Sequence, residues 1–212
     1  MQPNLTQILE VIKLGEKLKH EMRHSWLSNG RQESVAEHTW RVSLMAVLIE
    51  PYLTQKIHTS KLLKMIIIHD LVEAEAGDIP AFDTLDNQRL KEQKASNEMK
   101  AIERIRDMLG SELGTELYEL WLEFEQKETY EAKVANALDK LEAQIQHNEA
   151  DLSTWLEIEH EMSFLLDKHV QFDPIMQQLK SLIEQEAEAK LVDGGVDVDA
   201  IKNKLYNPSH SS

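Results

Sequence analysis

His69 and Asp70 close an apolar run, IIIHD, and Glu73 follows one turn later in EAEAGDIP, residues 73–80. Burying a carboxylate without a partner is costly, so such a group neutralises or finds a positive charge. A metal ion is one candidate. In a helix, Leu62, Ile66, His69 and Glu73 fall at i, i+4, i+7 and i+11 and share one face. Asp70 lies about 100° round from that face. His69 and Glu73 are separated by about 6 Å of helical rise. An ion touching His69 and Asp70 would lie near the helix, with Glu73 within reach of its water. Taken alone, a His-Asp pair is more ordinarily a core-edge histidine beside a capping or salt-bridged aspartate.

Two further residues extend the set. His38 begins an apolar segment containing Val42, Met45, Val47, Leu48 and Ile49. Asp139, in KVANALDKLEAQI, borders the stripe Val134, Leu138, Leu141, Ile145. Each has an ordinary reading by itself, a structural histidine in one case and a partner for Lys140 or Lys133 in the other. Together His38, His69, Asp70 and Asp139 offer two imidazoles and two carboxylates. Mixed nitrogen and oxygen ligation suits one divalent Mn, Fe, Co, Ni or Zn, with Mg as a further option, and leaves positions for water and substrate.

The elements that position these residues read as helices almost throughout. Seven glycines and five prolines punctuate 212 residues, and β-branched alternation is scarce. Ile8, Val11, Ile12 and Leu18 mark a first helix over about 4–22. RHSWLSNGRQ reads as a loop turning at Ser28-Asn29-Gly30. Ser34 and Glu37 form a capping box that starts a helix over about 35–53. A third helix is expected from Thr59 or Ser60 to near Gly77. Others are expected over about 87–109, closed by Gly110, and over 112–126, 129–150, 153–168 and 173–190. The pattern predicts an all-α fold of about eight helices in one domain over 1–212, with its core over about 5–190. Residues 191–212 form a C-terminal extension, with Gly194-Gly195 as a hinge.

The bulk numbers narrow the function. A chain of this length buries roughly 70% of its unfolded surface and needs no staples. It has no cysteine, which excludes disulfides, thiolate zinc sites and a cysteine nucleophile. A net charge of −15 repels nucleic acid polymers and anionic membranes, although local cations still admit a small phosphorylated substrate. The N-terminus lacks the pattern of a signal peptide, and no run of about 18 apolar residues suggests a membrane span. A soluble cytoplasmic protein is the expectation.

The ordered set His38, His69-Asp70, Asp139 resembles the signature of the HD-domain metal-dependent phosphohydrolases. HD-x-x-E-x-x-x-GD-I-P, from His69 to Pro80, is similar to the bacterial 5′-deoxynucleotidase branch and its eukaryotic relatives. So is R-x-x-x-x-x-x-x-R-x-E-x-V-x-EH, from Arg23 to His38. The resemblance covers about residues 5–170. It implies a compact helical fold and a divalent metal held by His38, His69, Asp70 and Asp139. It also implies Glu73 as catalytic carboxylate, and Asp78 binding the sugar or orienting the reacting water. Arg23 would orient the phosphate, with Arg31 a second candidate for the same pocket, and the protein would be a homodimer. The deoxynucleotidases place a tryptophan after the first arginine, where it shapes the sugar pocket. Here that residue is His24, which either joins the substrate pocket or is a solvated loop residue. The nearby Trp26 either substitutes for the missing tryptophan or packs into the core.

The chemistry implied is hydrolysis of a (deoxy)nucleoside 5′-monophosphate to nucleoside and phosphate. A divalent ion lowers the pKa of its water towards roughly 7, and Glu73 would accept that water's proton. One rival is hydrolysis of another phosphoester such as a nucleoside triphosphate, which should call for more cations than Arg23, Arg31, Arg41 and Lys91. The other is a non-catalytic helical module with a structural metal, docking through acidic runs such as EQEAEAK and ELYELWLEFEQKE. His147, His160 and His169 are expected to face solvent, and Trp40, Trp121 and Trp155 to pack.

Overall fold

The computed structural model describes residues 4–80, 82–83, 87–110 and 112–206. Among the described residues the regular structure is helical apart from one two-stranded ribbon. Helix α1 spans Leu5–Leu14, with the Asn4 side chain accepting the Gln7 amide at 3.4 Å. The expected first helix tightens into a 3₁₀ turn over Gly15–Lys19 and stops there.

The segment expected to be a loop is instead a hairpin. Strand β1, Met22–Trp26, pairs antiparallel with β2, Gln32–Ser34. Ser28-Asn29-Gly30 does make the turn. Leu27 N donates to Arg31 O at 2.7 Å and Gly30 N to Leu27 O at 2.9 Å. Gly30 sits at φ +82°, a region open to glycine without steric cost. A strand this short shows too little alternation to be read from sequence.

Helix α2, Val35–Ile49, opens on the expected capping box. Glu37 N donates to Ser34 Oγ at 3.3 Å, and Ser34 N donates to Glu37 Oε2 at 2.9 Å. Helix α3, Thr59–His69, does not run on to Gly77. The backbone tightens to 3₁₀ over Asp70–Val72 and resumes as the short α4, Glu73–Ala76.

Helices α5 (Gln88–Leu109), α6 (Glu112–Gln126) and α7 (Tyr130–Glu149) follow close to their expected bounds. The region 153–168 divides. A 3₁₀ turn at Leu152–Thr154 precedes α8 (Glu157–Met162) and α9 (Asp167–Val170). Trp155 and Leu156 are extended between them, and Leu156 N is capped by Glu159 Oε2 at 2.6 Å. Helix α10, Pro174–Asp193, ends at Gly194, and Gly195 lies at φ +79°. The chain then returns as α11, Val198–Tyr206, through Val196 N to Leu191 O at 2.9 Å. The expected hinge position is this turn, and residues 198–206 of the expected extension are helical. Residues 207–212 lie outside the described residues.

Helices α2, α3, α6 and α7 pack around Val42, Leu62, Met65, Ile66, Phe124, Leu138 and Leu141. Full burial of each such side chain contributes about 1.5–3 kcal/mol. A second cluster joins α1 and α5 to the α3–α4 corner through Leu14, Ile68, Leu71, Ile102, Ile105 and Trp121. A third holds the C-terminal helix through Trp155, Phe164, Leu191 and Val198. Together they clamp α2, the end of α3 and the middle of α7 against one another. No described helix is long and apolar enough to cross a membrane.

Candidate metal centre and substrate cavity

The capping box sets the first turn of α2, so His38 points inward and is completely buried. Its Nδ1 meets a Glu142 Oε2 that lies one turn beyond Asp139 on α7. Its Nε2 is then turned to Asp139 Oδ1 at 3.0 Å and Asp70 Oδ2 at 3.8 Å.

His69 owes its orientation to the break in α3. The Asp70 amide bonds to the Ile68 carbonyl, and the Ile66 carbonyl accepts His69 Nδ1–H at 2.6 Å. That donation fixes the tautomer and leaves His69 Nε2 with its lone pair in a buried site. His69 Nε2 is 3.0 Å from Asp70 Oδ1 and has no hydrogen-bond partner among the described residues. Thr39 Oγ1 donates to Asp70 Oδ2 at 3.1 Å, fixing that carboxylate in turn.

Ligand atoms of His38, His69 and Asp139 lie within 4.8 Å of one another, and Asp70 borders both rings. Four residues from three separate parts of the sequence are brought to one buried point. An orphaned imidazole nitrogen, two rings oriented from behind and two carboxylates are what a divalent cation needs. The charges behave accordingly. Burial and Arg23 oppose protonation of His38, but Glu142 and Asp139 outweigh them and push its pKa up to about 9. Burial would raise Asp139, but Lys140, His38 and His69 hold it well below the usual carboxylate range.

A cavity of about 420 Å³ opens beside this cluster. Glu73 lines it, is 7% exposed, and has an Oε2 with no hydrogen-bond partner among the described residues. Burial, with Asp70 and Asp78 nearby, raises its pKa well above the ordinary value. Asp78 also lines the cavity and is anchored by its amide to Glu21 Oε1 at 2.9 Å. Arg23 enters from β1, its Nε 3.4 Å from Glu33 Oε2. His24 lines the same wall, edge-on to Phe82 with ring centroids 5.0 Å apart.

Arg31 does not line this cavity. It lies outside it, bound to Glu37 at 2.6 and 3.1 Å. Arg41 is also taken, by Glu142 at 2.6 Å and Glu149 at 2.6 Å. The cations lining the cavity are Arg23, Lys91, Lys94, Lys127 and Lys140. Trp26 is absent from the lining, and its carbonyl accepts Gln146 Nε2 at 2.6 Å. Trp121 and Trp155 are buried as expected, whereas Trp40 is 66% exposed.

The three histidines expected in solvent are part-buried. His169 bonds Asn136 and His160 lies against Trp155, while His147 faces the cavity and bonds Glu159. Glu142, Thr39 and Glu159 escaped the sequence reading, whereas Lys140 pairs with Asp139 at 2.9 Å, the ordinary reading of that residue. Only Glu142 left a signal: it sits three residues after Asp139, a carboxylate next to the apolar stripe position Leu141.

The HD domain family model matches residues 15–180. The chain belongs to the HD-domain family. Within it, the chain is 31% identical over 162 residues to 5′-deoxynucleotidase HDDC2 of Homo sapiens, covering 76% of this chain and 74% of that protein. It is 33% identical over 141 residues to 5′-deoxynucleotidase HDDC2 of Xenopus laevis, covering 66% of this chain and 67% of the relative. Among solved structures, a predicted metal-dependent phosphohydrolase from Magnetospirillum magnetotacticum MS-1 superposes with a TM-score of 0.76 at 26% identity. It covers 92% of this HD-domain chain and 96% of its own.

Proposed function

We propose that this HD-domain protein is a metal-dependent 5′-nucleotidase, cleaving (deoxy)nucleoside 5′-monophosphates to nucleoside and inorganic phosphate. One observation carries the reading: a buried glutamate, Glu73, whose Oε2 has no hydrogen-bond partner among the described residues, shares a cavity with a cluster suited to a divalent cation. A structural site would be closed, whereas this one opens onto space for substrate. The nucleotidase class is supported by the curated 5′-deoxynucleotidase relatives.

In this reading His38, His69, Asp70 and Asp139 hold the ion, which is Mn, Co, Fe, Ni, Zn or Mg. When bound, the ion supplies positive charge that acidifies water and offsets the charge of a phosphate oxygen. Arg23 orients the phosphate by charge-assisted hydrogen bonds. Glu73 takes a proton from the attacking water as the new O–P bond forms and the 5′-O–P bond breaks. Its raised pKa makes it a stronger acceptor and lets it pass a proton to the leaving 5′-oxygen. Asp78 sits where it can hold the sugar or that water. Arg31, tied to Glu37 outside the cavity, has no part in this scheme.

The same proposal includes a cytoplasmic homodimer. The cysteine-free composition fits a reducing compartment. Exposed Trp40, Leu44, Leu48 and Tyr52 form an apolar stripe on and just beyond α2 that suits a self-contact.

The test is phosphate release from dAMP, dGMP, dCMP, dUMP, dTMP, AMP, dATP and a generic phosphomonoester, with each metal added after chelator stripping. Metal-dependent release from the nucleoside monophosphates is expected. Release from dATP alone would replace the reading with a triphosphate hydrolase. Silence across the panel with metal bound would return the protein to a binding role.

A further inference from the structure

Asp78 reaches the cavity wall from a turn, not from a helix, and its position is set through its own backbone. Gly77 closes α4 by donating its N–H to the Glu73 carbonyl at 2.9 Å. It then turns at φ +77° and ψ 154°, a region that in practice only glycine enters. The next amide, that of Asp78, is directed out of the helix and donates to Glu21 Oε1 at 2.9 Å. One residue on, the Ile79 carbonyl accepts Lys94 Nζ of α5 at 2.9 Å. A carboxylate and an ammonium thus grip an amide and a carbonyl of two consecutive residues from two different elements. Each bond has an ionised partner, which makes it about twice as strong as a neutral one.

Glu21 is itself tied down by its backbone. Its N–H donates to the Lys17 carbonyl at 3.0 Å, and its carbonyl accepts the Val35 N–H at 2.9 Å. Val35 opens α2, the helix that carries His38 in its first turn. Arg23 follows Glu21 by two residues, within about 7 Å at Cα, and lines the same cavity as Asp78. Glu21 therefore joins three parts that the chemistry needs in register: the start of α2, the strand of Arg23 and the turn of Asp78. A glutamate serving only solubility would be free in water. This one is part-buried, with a carboxylate oxygen committed to an amide of the site.

We propose that Glu21 is a positioning residue that, together with Lys94, grips the backbone of Asp78 and Ile79 and so holds the Asp78 carboxylate in register with Arg23. The proposal rests on the nucleotidase reading, in which Asp78 meets the sugar or the attacking water. Glu21 touches no reacting atom, and its effect on turnover passes through Asp78.

The test is a double-mutant cycle read as kcat/KM for dAMP with metal bound. Glu21→Ala is expected to lower it roughly tenfold or more, the loss of one hydrogen bond to a charged group, with metal affinity unchanged. Glu21→Gln keeps an oxygen for the Asp78 amide and should recover most of the activity. In an Asp78→Ala background, Glu21→Ala should cost nothing further, because no carboxylate is left to place. A merely structural role would cost the same in both backgrounds, and that result overturns the proposal. So does a Glu21→Ala enzyme as active as the wild type. Amide hydrogen exchange reads the same contact without turnover. The Asp78 amide should exchange faster in Glu21→Ala and near the wild-type rate in Glu21→Gln, and an unchanged rate in Glu21→Ala overturns the proposal as well. A wild type that binds metal and is silent with every nucleotide overturns the nucleotidase reading itself and the proposal with it.

Discussion

The His38 ring is held from behind by Glu142, a residue 104 positions later in the chain, and the same carboxylate accepts Arg41 Nε at 2.6 Å. Arg41 lies one turn after His38 on α2, and Glu142 one turn after Asp139 on α7. The pair of helices therefore fixes the tautomer and direction of a candidate ligand by a network outside the cluster. Removing that support should weaken metal binding without removing a ligand. Glu142→Gln is expected to lower metal affinity about 10–100-fold, the usual effect of losing such a partner. Competition against a chelator of known affinity measures it, and an unaltered constant would show that His38 needs no such orientation.

Glu73 touches none of the four candidate ligands through a hydrogen bond, and its free Oε2 is buried at the cavity wall. Glu73→Gln should keep its metal and lose turnover by about 10²–10⁴-fold, the typical contribution of a positioned acid or base. Metal content by mass spectrometry and steady-state rates decide together. Equal rates in variant and wild type would remove Glu73 from proton transfer.

Arg23 lines the cavity and Arg31 lies outside it. Arg23→Ala is expected to raise KM and lower kcat/KM at least tenfold, a loss of about 1.4 kcal/mol per decade. Arg31→Ala should leave both constants unchanged, because its guanidinium is bound to Glu37 away from the cavity. A KM effect at Arg31 would put the phosphate elsewhere than proposed.

Asp70 faces both candidate histidine ligands. Asp70→Ala should lose metal and heat stability together. A ligand at about 100 times its dissociation constant contributes roughly 2.7 kcal/mol of stability. Melting curves with and without chelator should differ for the wild type and coincide for the variant. A variant that still melts higher with metal would take Asp70 out of the metal shell.

Glu98 gives a pH signature. Burial, opposed by Lys94 and reinforced by Glu125 and Asp70, pushes its pKa from 4.5 up to about 7. The fold therefore favours its protonated form. That contribution is fully present below about 4.5 and is lost as the pH rises through about 7. The shift corresponds to at most about 3 kcal/mol. Glu98→Gln removes the loss, so the variant should be the more stable protein at pH 8, with the gap closing towards pH 4.5. Urea midpoints across that range measure it, and a gap independent of pH would mean that Glu98 is charged throughout.

The sequence by itself determined the helical architecture and the identity of the residues gathered at the candidate centre. Helical periodicity is a local property, so α2, α5, α6 and α7 were legible from spacing and caps. His69, Asp70 and Asp139 stood out because ionisable groups set among apolar ones demand a partner, a demand visible in one dimension. Tertiary structure decided what depends on which face meets which. It made a hairpin of residues 22–34, whose pairing supplies hydrogen bonds that no local pattern announces. It broke α3 at Asp70, where the His69 ring takes the Ile66 carbonyl. It put Arg23 in the cavity wall and left Arg31, alike in type and eight residues on, outside it. It turned His147 from an expected surface position to the cavity wall, where it bonds Glu159 of α8. Charge and polarity are written residue by residue, but the partner that makes a buried charge tolerable comes from another part of the chain, and only folding selects it.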